Sequence, residues 1–68
     1  MKFEYRKWGK GIYEVIWLYD YNPVAKMFRR QSVGMVEKQG SKWAAMKNES
    51  LQAPTRKELA EIMARLIS

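Results

Sequence analysis

The chain has 68 residues, no cysteine, no histidine and a net charge of +6, from 13 Lys and Arg against 7 Asp and Glu. That length holds one hydrophobic core and no second domain or cofactor-sized cleft, so residues 1–68 read as a single domain. Without cysteine or histidine there is no disulfide staple, no thiolate or imidazole metal ligand, no cysteine nucleophile and no histidine base, and no cofactor is expected.

The N-terminal stretch Met1 to Lys10 alternates charged and aromatic residues, which is not the pattern of a signal peptide. The longest apolar stretch, Val15 to Tyr19, is far too short to span a bilayer, so no membrane partner is expected. A cysteine-free composition fits a reducing, cytoplasmic compartment. Stability has to come from packing, and large aromatics such as Phe3, Tyr5, Tyr13, Trp17 and Trp43 supply the area for it.

In chain order, Lys2 to Trp8 alternates polar and aromatic residues as a half-buried strand does, and Gly9-Lys10-Gly11 turns the chain. Ile12 to Asp20 is apolar on both faces, with Ile12, Ile16 and Leu18 on one and Tyr13, Val15, Trp17 and Tyr19 on the other, so it reads as a central strand. Asn22-Pro23 marks a turn. Beyond it, Ala25 to Gln31 and Val33 to Lys38 form one long strand or two short ones, interrupted near Ser32-Val33-Gly34. Gln39-Gly40 signals a hairpin that pairs Val33 to Lys38 with Lys42 to Lys47. Lys47 to Ala53 reads as an adaptable loop containing at most a short strand near Leu51-Gln52.

The last segment opens with Pro54 and a Thr55-x-x-Glu58 capping box, which starts a helix. Leu59, Ile62, Met63 and Leu66 then recur at helical spacing as a stripe to lie on the sheet, while Lys57, Glu61 and Arg65 face water. The expected fold is α+β: a curled antiparallel sheet of about five strands packed on one C-terminal α-helix.

Nothing in this order assembles a catalytic site. The carboxylates are scattered without a shared motif, the serines lack a base, and Gly9-Lys10-Gly11 precedes a strand and not the helix a phosphate loop requires. The chain therefore reads as a non-enzyme with no small-molecule substrate. Glu14, an acid among apolar neighbours, reads as a polar residue satisfied at a sheet rim or by a cross-strand lysine or arginine.

Two features point to binding. One is the aromatic stripe of Tyr13, Trp17 and Tyr19, with Tyr21 as its extension; if the helix takes the aliphatic face, sheet curvature, a partner or a stacking role must account for these rings. The other is charge: residues 1–47 carry the whole positive excess, and Lys26, Arg29 and Arg30 with Lys38 and Lys42 are expected to gather into one phosphate-scale patch. No residue pattern indicates base-specific reading.

In overall form, from the Met1-Lys2 strand start to the helix opened by Pro54-Thr55-Arg56-Lys57-Glu58-Leu59, the chain resembles the small phage-encoded anti-CRISPR proteins that inhibit type I-F surveillance complexes. The resemblance implies a non-catalytic inhibitor in the host-cell cytoplasm. It would bind protein subunits of the CRISPR ribonucleoprotein complex and block target DNA, with non-specific DNA contact nearby. Charge and strand position select the partner-binding candidates: Lys26, Phe28, Arg29, Arg30, Lys38, Gln39 and Lys42, then Arg56 and Lys57 at the helix start. Two alternatives stand beside this reading. One is a direct nucleic-acid-binding module, similar to the three-stranded-sheet-plus-helix domains of integrases, laying the Gln39-Gly40 hairpin and Trp43 on DNA. The other is an accessory protein that regulates a host protein through its aromatic face.

Overall fold

A computed structural model describes residues 1–67. The strands β1 (Lys2–Gly9), β2 (Ile12–Asn22), β3 (Met27–Gln39), β4 (Lys42–Ala45) and β5 (Asn48–Ala53) are followed by one helix, α1 (Arg56–Ile67). The strands form a single antiparallel meander in the order β1-β2-β3-β4-β5, so each connection is a hairpin and β1 and β5 are the free edges. The α+β architecture read from the sequence is the one observed.

Several boundaries differ from expectation for identifiable reasons. The third segment is one strand, because the break at Val33-Gly34 is a bulge: Val15 pairs with Gly34 and Ile16 with Ser32, leaving Val33 as the extra residue. The segment expected to be an adaptable loop is instead β5, paired with β4 through Trp43↔Ala53 and Ala44↔Gln52. Its sequence has little strand propensity, and pairing with β4 decides its state. β2 is flanked on both sides as expected, though the middle strand of the five is β3.

The capping box forms as read: the Glu58 amide donates to Thr55 Oγ1 at 3.1 Å, and Thr55 Oγ1 also bonds the Glu58 carboxylate at 3.1 Å. The buried stripe of α1 is rotated from the expected one. Leu59, Ala60, Met63 and Ala64 face the sheet, Ile62 is half-buried and Leu66 is exposed. Two alanines in the contact let the helix axis approach the strands more closely than leucines would.

Under α1 lie Val15, Val36, Ala45 and Ala53, with Tyr5, Tyr13 and Trp43 packed at the margin. Leu59, Val15 and Val36 are the largest side chains with no solvent exposure. The helix therefore takes the face of β2 that carries Tyr13 and Val15, not the aliphatic face. Ile16 and Leu18 lie on the helix-free face and are still about nine-tenths buried, at 8% and 9% exposure.

Gly34 is required at its position. Its φ of 123° is open to glycine alone, and a β-carbon there would sit 3.0 Å from Met63 Cε beneath the helix. Gly34→Ala is expected to lower the urea-unfolding free energy by about 1–3 kcal/mol. Gly40→Ala, at φ 63° with nothing within 4 Å, is expected to cost only about 1 kcal/mol. Equal losses would mean that the close helix approach at Gly34 is not what that glycine serves.

Candidate functional site

The helix packs on β3, β4 and β5, which leaves the end of the molecule formed by the β2–β3 hairpin without helix cover. β1 pairs with β2 only as far as Lys2↔Leu18, so beyond Leu18 and Arg30 the hairpin is a two-stranded ribbon. A bulge between Tyr19 and Asn22 re-aims it, with Asp20 in the left-handed region at φ 52°. The tip is closed by Asn22, whose Oδ1 accepts from the Val24 and Ala25 amides at 2.9 and 3.2 Å, an Asx turn that ends at Lys26 with φ 54°. Val24, Met27 and Tyr21 on this ribbon are 92%, 62% and 51% exposed.

Four of the expected binding residues meet here. Phe28 is half-buried against Tyr21, with ring centroids 4.8 Å apart, and Lys2 Nζ stands 4.9 Å above its ring. Arg30 reaches across β2 to pair with Glu4, and Arg29, on the opposite face, pairs with Asp20 at 3.3 Å. Lys26 joins Lys2, Glu4, Phe28 and Arg30 around a shallow depression of about 410 Å³. A second depression of about 460 Å³, lined by residues including Asp20, Tyr21, Pro23 and Arg29, lies on the other side of the tip.

The single patch of five cations does not form. Arg30 and Lys38 are separated by eight residues of one strand, roughly 25 Å. Alternation along β3 also sends Arg29 and Arg30 to opposite faces, and Lys38 lies opposite Trp43 on the helix side, whereas Gln39 and Lys42 oppose each other on the helix-free side. Along one extended strand, residues a few positions apart in sequence are far apart in space. Lys26, Lys38 and Lys42 form no ion pair among the described residues.

Arg56 is engaged within the fold. Its guanidinium carbon lies 3.8 Å from the Tyr5 ring centroid, 4.7 Å from Tyr13 and 5.8 Å from Trp43, so it seals the aromatic margin of the core at the helix start. Burial raises the Tyr5 pKa above its ordinary value, and the Arg56 charge and hydrogen bond act against that rise. Lys57 next to it is exposed.

Lys2 is not among the candidates named from the sequence, because only the antiparallel register of β1 brings it beside Phe28; Tyr21, the expected extension of the Tyr13-Trp17-Tyr19 stripe, is turned to Phe28 by the bulge. Glu14 is a satisfied polar residue, but through a serine and a tryptophan and not through the expected lysine or arginine. Ser32 Oγ donates to its carboxylate at 2.7 Å and Trp8 Nε1 at 3.2 Å, and these two bonds hold its pKa below the ordinary value.

Among the described residues, no group of three His, Cys, Asp or Glu could hold a metal ion, and no helix is long and apolar enough to cross a membrane. No family model, no curated protein and no solved structure matches the chain.

Two titrations test this geometry. A lowered Glu14 pKa means that its stabilising contribution is complete above the unfolded carboxylate pKa and disappears as pH falls through the lower folded value. Acid unfolding of Glu14→Gln is therefore expected to be less pH-dependent below pH about 4.5 than that of the parent; unchanged dependence would show that the Ser32 and Trp8 bonds do not select the ionised form. Arg56→Met, which keeps the cover and removes the charge, is expected to raise the Tyr5 pKa further in an ultraviolet titration. A fall would contradict the guanidinium's position over that ring.

Proposed function

We propose that the chain is a non-enzymatic docking protein whose β2–β3 ribbon engages a protein subunit of a nucleic-acid-handling complex. The observation that carries this reading is the composition of the exposed ribbon: Tyr21, Met27 and Phe28 beside Arg29 and Arg30. Aromatics, methionine and arginine are the residue types enriched at protein interfaces, and the strongest contacts pair an arginine with an aromatic ring. Both arginines are paired at the surface, Arg29 with Asp20 and Arg30 with Glu4. These carboxylates are thereby committed, and nothing near them supplies a nucleophile with a base, so the proposed action is occupation of a surface.

The resemblance to type I-F anti-CRISPR proteins supplies the partner we propose: protein subunits of a crRNA-guided surveillance complex in the host cytoplasm, obstructed from binding target DNA. The five-stranded sheet with one C-terminal helix has the form which that resemblance implies. A second reading, direct binding of nucleic acid, is favoured by the cluster of Lys2, Lys26 and Arg30 around Phe28. In that reading Trp43 is not a DNA-facing residue, because it packs against Tyr13 at 5.8 Å on the helix side.

The test is affinity capture of a purified type I-F surveillance complex by the tagged protein, with and without nuclease treatment. Phe28→Ala with Arg30→Ala is expected to weaken capture at least tenfold while circular dichroism stays native. Full capture by that variant would overturn the docking role of the ribbon. Loss of capture by the parent after nuclease treatment, with a steep decline in rising salt, would replace it with the nucleic-acid reading.

A further inference from the structure

Trp17 and Tyr19 are unexplained by either the core or the docking surface. They lie on the helix side of β2, in line with Tyr13 and Val15, yet they are outside the cluster packed beneath α1. Their rings contact each other with centroids 4.9 Å apart and planes tilted by 35°. Phe3 of β1 pairs with Trp17 and continues the shelf to the sheet edge, and Phe3 itself lies against Tyr5 at 6.5 Å. Phe3 also packs against the margin of the core, whereas Trp17 and Tyr19 do not, and these two half-buried rings are apolar surface open to a ligand.

Cations frame this shelf on two sides. Arg29 is in register with Tyr19, and its pair with Asp20 is solvent-exposed, with 72% and 68% of the two side chains accessible. Such an exposed pair contributes little and exchanges readily for a phosphate oxygen. On the other side, Lys57 at the start of α1 and Lys2 border a hollow of about 250 Å³ with Met1, Phe3 and Tyr5. A row of tilted aromatic rings with cations on both margins, on a chain of net charge +6, matches an anionic ligand that carries flat rings.

We propose that the Phe3-Trp17-Tyr19 shelf is a binding site for single-stranded nucleic acid, stacking unpaired bases on the rings while Arg29 and Lys57 meet the backbone phosphates. In a duplex the base faces are already stacked on one another and only edges and phosphates remain accessible, so an aromatic shelf selects unpaired strands. Arg29 and Lys2 border both this face and the ribbon surface, whereas Trp17, Tyr19 and Lys57 take no part in the docking reading, and the two can fail separately.

The experiment is titration of a 10-nucleotide oligothymidine into the full chain at low salt, followed by tryptophan fluorescence and by calorimetry. Stacking on Trp17 is expected to quench its emission, whereas the same titration of Trp17→Phe is expected to retain affinity with the quench greatly reduced. Trp17→Ala with Tyr19→Ala is expected to weaken binding tenfold or more, with folding verified by circular dichroism, since neither ring belongs to the core. A duplex of the same phosphate concentration is expected to compete poorly. Equal competition by the duplex, undiminished binding by the double alanine variant, or no oligonucleotide binding by a parent that still captures a protein complex would each overturn the proposal.

Discussion

A single helix of twelve residues cannot cover a five-stranded sheet, and the rest of the structure follows from where that cover is placed. Leu59, Ala60, Met63 and Ala64 are laid over Val15, Val36, Ala45 and Ala53, where the bulge at Gly34 admits Met63 and two alanines on α1 permit close contact. All the deeply buried area of the helix side is spent at this end. The β2–β3 hairpin continues past it as a ribbon, which gives the molecule a long axis of 42 Å against 23 and 17 Å in the other directions. In so short a chain the core is only just large enough to offset the entropy of ordering the backbone, and little apolar area is left to stabilise a second layer.

The helix-free face solves its own burial problem without a second helix. Arg30 lies opposite Leu18 and Glu4 opposite Ile16, so their ion pair crosses β2 diagonally above these two apolar residues. Farther along, Glu14 links Trp8 to Ser32 across the same three strands. Long charged side chains cover apolar surface with their stems while their heads stay in water, which is how Ile16 and Leu18 remain dry on an open sheet. The same residues that form this roof also set the shape of the ribbon surface, so structure and binding are coupled at Arg30.

The features legible in the sequence are those with short-range causes. The Thr55–Glu58 cap, the Gly9–Gly11 and Gln39–Gly40 turns and the alternation in β1 are set by neighbours within a few residues, and each is found where the sequence places it. Features set by long-range pairing were not legible. β5 exists because β4 offers it an edge, and the helix chose the aromatic face of β2 because Val36, Ala45 and Ala53, contributed by three later strands, lie on that side. At the candidate site, Phe28, Arg29, Arg30 and Lys26 could be named from charge and position, but their separation from Lys38 and Lys42 follows from β3 being one continuous strand of 13 residues. Lys2 reaches Phe28 only through the register of β1, which composition does not encode.

The docking proposal depends on the ribbon from Tyr19 to Arg29 being an uncovered two-stranded extension and not a hidden part of the core. Amide hydrogen exchange in the free protein tests this directly. Amides of Val15, Val36 and Leu59 are expected to exchange only through global unfolding, and those between Tyr19 and Arg29 at least tenfold faster, through local opening. Uniform protection along β2 and β3 would contradict a free ribbon and would place the residues assigned to binding inside the cooperative core.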